Sequence, residues 1–154
     1  MTDHQAELHA LLGRYEPAML ARRPASGVWS AIENVRHLLF AEQGHLGRFV
    51  PGGLGLSPMG MLNQGLQRQK KMIATIVGTN PTTDLTAVFD EWERVHAAAC
   101  VGLDRSHPDL ALRLRASYRH QQTHGKLAVR AVRRVAAEAV GAAGDPSLSR
   151  VVEP

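Results

Sequence analysis

Residues 22–42 read RRPASGVWSAIENVRHLLFAE, and the periodicity of this stretch decides the fold. From Ser30 onward the apolar positions do not alternate. Ile32, Val35, Leu39 and Leu46 recur at intervals of three, four and seven, the spacing of one face of an α-helix. Ser30 and Glu33 have the S-x-x-E spacing of a capping box, in which each side chain satisfies a backbone N–H at the helix start. Pro24 and Gly27 make the preceding residues a loop, and PGGLGLSP at 51–58 stops the helix near Phe49. One residue is out of character: His37 stands at the edge of the inward face, where leucine would pack more easily.

The rest of the chain repeats this pattern. Residues 3–20 carry Leu8, Leu11, Leu12, Tyr15 and Met19 at helical spacing, with an interruption expected at Pro17. Residues 59–77 are helical by pattern but weakened by Gly60 and Gly65, an extra short or mobile segment. Residues 85–104 have an apolar stripe running from Leu85 through Val88, Phe89, Trp92, Val95 and Ala99 to Leu103. RSHPDLALRLR reads as a connection, 115–140 as the last long helix, and 141–154 as an irregular tail. Aromatic residues make up only 5% of the chain while Ala, Leu, Val, Arg and Gln fill its long stretches, a helix-forming composition. The expectation is a single all-α domain over residues 1–140, folded as an antiparallel four-helix bundle, whose sites lie on inward faces.

The N-terminal segment mixes acidic residues and histidines with its leucines, unlike a signal peptide, and no window approaches 18 apolar residues. A cytoplasmic protein without a membrane partner is expected. Cys100, in the apolar run AAACVGL, reads as a buried and inert thiol. The net charge of +4 and the arginines of the C-terminal third raise nucleic acid as a partner. Only Tyr118 interleaves with those arginines, so a solvated helix face, or one that receives a small anionic substrate, is the preferred reading.

SYRHQQTHGKLAV, residues 117–129, places His120 and His124 one helical turn apart. Eight histidines in 154 positions supply roughly 0.4 such pairs by chance, so spacing alone decides nothing. Stepping on by three and four reaches Leu127, Ala128, Ala131 and Val135, which puts both imidazoles on an inward stripe beside that of His37. A single inward histidine is usually a core residue bonded to a carbonyl or carboxylate. Three that converge need many polar partners or one metal ion. Three neutral imidazoles would leave a fourth position to water or a thiol, the open arrangement of catalytic sites, and they suit zinc or nickel. Glu33 is first a capping residue and second a partner that could orient His37. His45 lies two turns beyond His37, too far for the same ion; His4, His9, His96 and His107 read as surface or loop residues.

Pro24, Trp29, Ser30, Glu33, His37 and Leu38, followed 83 residues after His37 by the H-x-x-x-H of His120 and His124, resemble the DinB-like superfamily. The resemblance covers about residues 5 to 135. It implies a four-helix bundle, a divalent metal held by His37, His120 and His124, and commonly a homodimer. It also implies a metal-dependent activity, foremost a thiol-dependent S-transferase or isomerase that uses a low-molecular-weight thiol on a small-molecule substrate. The alternatives are a metal-dependent hydrolase on the same site and a non-catalytic, stress-related binding protein. Gly125, directly after the last histidine, departs from the bulkier residue usual there.

Overall fold

The computed structural model describes residues 2–62 and 71–143, and every described element is helical. Helix α1 spans Asp3–Leu12, α2 Pro17–Ala21, α3 Ala31–Leu46 with a 3₁₀ turn at Gly47–Phe49, α4 Lys71–Ala74, α5 Leu85–Gly102 and α6 Leu110–Ala143. Among the described residues no helix is long and apolar enough to cross a membrane.

Local chemistry sets these boundaries. Thr2 and Gln5 form a capping box at the start of α1. Pro17 divides the expected first helix by occupying the first position of α2, where its missing N–H costs nothing. Ser30 and Glu33 close the expected capping box on α3, with Ser30 N donating to Glu33 Oε2 at 2.8 Å and Glu33 N to Ser30 Oγ at 3.3 Å. Asp84 caps α5 by accepting from Ala87 N at 3.1 Å.

Helix α3 is the centre of the molecule. It packs most extensively on α6 and next on α5, while α1 reaches both α5 and α6. Ile32, Val35, Leu38 and Leu39 meet Leu8 and Leu12 of α1, Val88, Phe89, Trp92 and Val95 of α5, and Ala128 and Val132 of α6 in one buried cluster. The other faces of α3 are covered as well, so that Asn34, Arg36, His37, Glu42 and Gln43 are also buried. Buried polar groups are as a rule hydrogen-bonded, and for Arg36, His37 and Gln43 the following loop supplies partners. Arg36 Nε donates to Met59 O at 2.8 Å and Met61 N donates to Arg36 O at 3.1 Å. Gln43 donates its amide to Gly55 O and accepts from Ser57 N at 3.3 Å.

This clamp explains why residues 59–62 are not helical as their pattern suggests: their backbone groups are bonded to α3. Helix appears only at Lys71–Ala74 in this region, residues 75–77 of the expected helix form a turn, and 63–70 lie outside the described residues. Helix α6 starts five residues earlier than expected, because LALRLR is itself helix-forming and Pro108 is tolerated just ahead of the first turn. It continues to Ala143, so residues 141–143 of the expected tail are helical, while 144–154 lie outside the described residues. Gly125 is buried within it, where an added Cβ would stand 3.3 Å from His4 Nε2 and 3.6 Å from Leu8 Cδ2; the missing side chain lets α1 approach α6.

Cys100 is exposed, which corrects the expectation of a buried thiol. The apolar neighbours on which that expectation rested mark a helix rather than an interior. Val95 and Ala99 take the inward positions of α5, and Cys100 lies about 100° further round.

Replacing Ser30 by alanine removes the side-chain half of the capping box and is expected to cost about 1 kcal/mol in urea unfolding. The backbone carbonyl of Ser30 remains, so the histidine geometry described next is expected to survive that change.

Candidate metal centre

Two helices bring the three histidines together. His37 is on the second turn of α3, and His120 and His124 are one turn apart near the middle of α6. One ligand atom from each lies within 4.8 Å of the others. Ring centroids are 5.1 Å apart for His37 and His120, 4.6 Å for His37 and His124, and 4.6 Å for His120 and His124. His37 Nε2 and His120 Nε2 are separated by 3.1 Å. Two nitrogens on one tetrahedral zinc at 2.0–2.1 Å are about 3.3 Å apart, so this pair already has the spacing of common ligands.

The hydrogen bonds behind the rings fix which nitrogen faces inward. His37 Nδ1 lies 3.0 Å from Met61 O, and a carbonyl only accepts, so Nδ1 carries the proton and Nε2 keeps its lone pair. His124 Nδ1 lies 2.9 Å from Asn34 Oδ1. The orientation of that amide is set in turn by Asn34 Nδ2, which donates to Ser30 O at 2.8 Å. Ser30 O requires a donor, so Asn34 Oδ1 faces the imidazole and accepts from Nδ1–H, leaving Nε2 of His124 available as well. Outer-nitrogen bonds of this kind orient metal-binding imidazoles and raise their basicity.

Burial, more than any neighbour, holds His37 below the ordinary imidazole range. Burial likewise pushes His120 and His124 down to about 4, with the adjoining imidazoles adding to the effect. At neutral pH all three are uncharged, the form that binds a cation. The donor set, its tautomers and its spacing therefore fit a single divalent ion.

Glu33, expected first as a cap and second as a partner of His37, has its oxygens engaged by other groups. Oε2 accepts from Ser30 N, and both oxygens accept from the Arg23 guanidinium, with contacts between 2.5 and 3.0 Å. The Met61 carbonyl holds His37 instead. Asn34 orients His124, and its only signal in the sequence is a side-chain amide four residues after the N-cap Ser30. Trp29 covers one side, its ring 4.9 Å from His37 and 5.9 Å from His124.

The remaining histidines are half-buried rather than superficial. The His45 ring stands edge-on to His120 at 5.3 Å, outside the three-histidine group. His9 stacks on Phe89 at 4.5 Å and His107 meets Phe49 edge-on at 4.7 Å. His96 bonds Glu42, with Nδ1 2.6 Å from Oε1. On the same stretch of α6, Tyr118 is exposed and Gln121 donates to Glu42 Oε2 at 3.1 Å.

The sequence profile of the DinB superfamily matches residues 1–137. The chain belongs to that superfamily. No curated protein and no solved structure matched it. This DinB chain thus has the family's all-helical character and a three-histidine cluster that can hold an ion, with the two pairing carbonyls, of Met61 and Asn34, directly behind two of its rings.

Asn34→Leu is expected to weaken zinc or nickel binding by 10- to 100-fold in competition with a chromophoric chelator, because His124 loses its orienting acceptor. In chelator-treated protein the depressed histidines have a further consequence. The unfolded chain takes up protons near pH 6.5 while folded His120 and His124 resist until about pH 4. Between those values the unfolded state binds more protons, so folding stability is full above pH 6.5 and is lost as pH falls toward 4. Urea unfolding at pH 7 and pH 5 is expected to show that loss, and a His120→Gln/His124→Gln variant a shallower one.

Proposed function

We propose that this DinB protein is a metal-dependent enzyme in which His37, His120 and His124 hold one divalent ion, zinc or nickel, within a four-helix bundle that pairs as a homodimer. The observation that carries the proposal is the convergence of three neutral imidazoles, two of them with outer nitrogens already bonded to carbonyl acceptors. When bound, the ion would supply Lewis acidity and favour the deprotonated form of a thiol or of water.

What the chain itself contributes is position. Met61 and Asn34 keep the rings aimed, and Trp29 shields one side. Beside His124 a cavity of about 320 Å³ is lined by Pro24, Val28, Trp29, Leu127, Arg130 and Arg134 among others. Its walls are mainly apolar and its two arginines are cationic, which suits a small organic substrate bearing an anionic group. Leu127, expected inward, is 39% exposed and forms part of that wall. The family resemblance favours thiol-dependent S-transfer or isomerisation over hydrolysis, and the same residues would serve either.

Elemental analysis of untagged protein is the first test. About one zinc or nickel per chain, lost in His124→Ala, is the expected result. No metal in the purified protein, and none taken up on incubation with either ion, would overturn the proposal. With metal established, turnover of thiol-reactive substrates that requires an added low-molecular-weight thiol selects the transferase. Turnover without it selects the hydrolase.

A further inference from the structure

A second constellation lies away from the three histidines. Glu42 on α3 is 1% exposed and is bonded on both oxygens. Oε2 accepts from Trp92 Nε1 at 2.5 Å and from Gln121 Nε2 at 3.1 Å, which fixes the carboxylate in the core. Oε1 is directed at His96 Nδ1 on α5, 2.6 Å away. The other nitrogen of that ring, Nε2, lies 3.3 Å from Cys100 Sγ, one turn further along α5 at the surface. Carboxylate, imidazole and thiol thus stand in series from the core outward, each within hydrogen-bond reach of the next.

We propose that Glu42, His96 and Cys100 form a second reactive centre, a histidine-assisted thiol that exchanges with small disulfides. The roles follow from the geometry. A carboxylate accepts from Nδ1–H, which leaves the Nε2 lone pair directed at the sulfur to take its proton. The positive charge then formed on the ring faces the buried carboxylate, the same order of nucleophile, base and orienting acid found in acyl-transfer triads. In accord with this, the Glu42 hydrogen bond holds His96 above the ordinary imidazole range.

The setting selects the reaction class. Cys100 lies inside the last turns of α5, where backbone N–H groups are bonded within the helix and are not offered to an oxyanion. Acyl transfer needs such donors. Thiol–disulfide exchange needs only access to the sulfur and a route for the proton. The sulfur of Cys100 attacks one sulfur of RS–SR while His96 Nε2 takes the thiol proton. The new S–S bond forms as the old one breaks, and the leaving RS⁻ regains the proton from His96. Overall, protein thiol and RS–SR become protein–S–SR and RSH, with the disulfide as the oxidant. No atom of this centre belongs to His37, His120 or His124, so it stands or falls independently of the metal.

The chain contains a single cysteine, so any thiol reagent reports on Cys100 alone. Its exchange with 5,5′-dithiobis(2-nitrobenzoate), followed by the absorbance of the released thiolate at pH 7, is compared in native protein and in the same chain unfolded in urea. Native protein is expected to react about tenfold faster than the unfolded chain, and His96→Gln to fall to the unfolded rate. A merely structural His96–Glu42 pair leaves the native thiol no faster than the unfolded one. That ratio, or an undiminished rate in folded His96→Gln, overturns the proposal, and the native-to-unfolded comparison decides it even where the variant fails to fold.

Discussion

The structure depends on how the first two turns of α3 are anchored. Ser30 uses its side chain to cap the helix and its carbonyl to hold Asn34, and Asn34 in turn holds His124 on another helix. One turn on, Arg36 and His37 bind the backbone of Met59 and Met61. A helix start, a loop path and two imidazole orientations are thereby fixed by one short segment. Without these partners α3 would bury an asparagine, an arginine and a histidine unsatisfied, at a cost of roughly 1–3 kcal/mol for each lost bond. The same bonds that make the core tolerable aim the rings.

Burial disfavours the charged imidazole at both polar centres, but the net outcomes are opposite. Around His120 and His124 it acts without a countercharge and keeps the rings neutral. At His96 a buried carboxylate outweighs it and favours the proton. Residues of one type thus favour the neutral form in one place and the protonated form in another, by the absence or presence of a carboxylate partner. Gln121, which bonds Glu42, is the sequence neighbour of His120.

Much of this was legible in the sequence. The period of α3 and α5, the Ser30–Glu33 cap, the break at Pro17 and the inward stripe carrying His120 and His124 are local patterns, and local patterns survive folding. What escaped was set by partners distant in sequence. Residues 59–62 have helical spacing, but Arg36 and His37 take up their backbone. Glu33 stands at the right distance from His37 along the helix, yet Arg23 and Ser30 occupy it. A main-chain carbonyl such as that of Met61 leaves no residue-type signature at all. The apolar neighbours of Cys100 suggest burial, but the helical period turns its side chain outward.

The nearly complete enclosure of α3 also divides the molecule by its freedom to change. Thirteen of its residues are buried and several are bonded on their polar atoms, so most substitutions there disturb packing, cap and rings together. The wall beside His124 is different, because Val28, Leu127, Arg130 and Arg134 reach the surface. Substitutions at the rim of the cavity are therefore expected to be inexpensive, while substitutions in the helix that aims the histidines are costly.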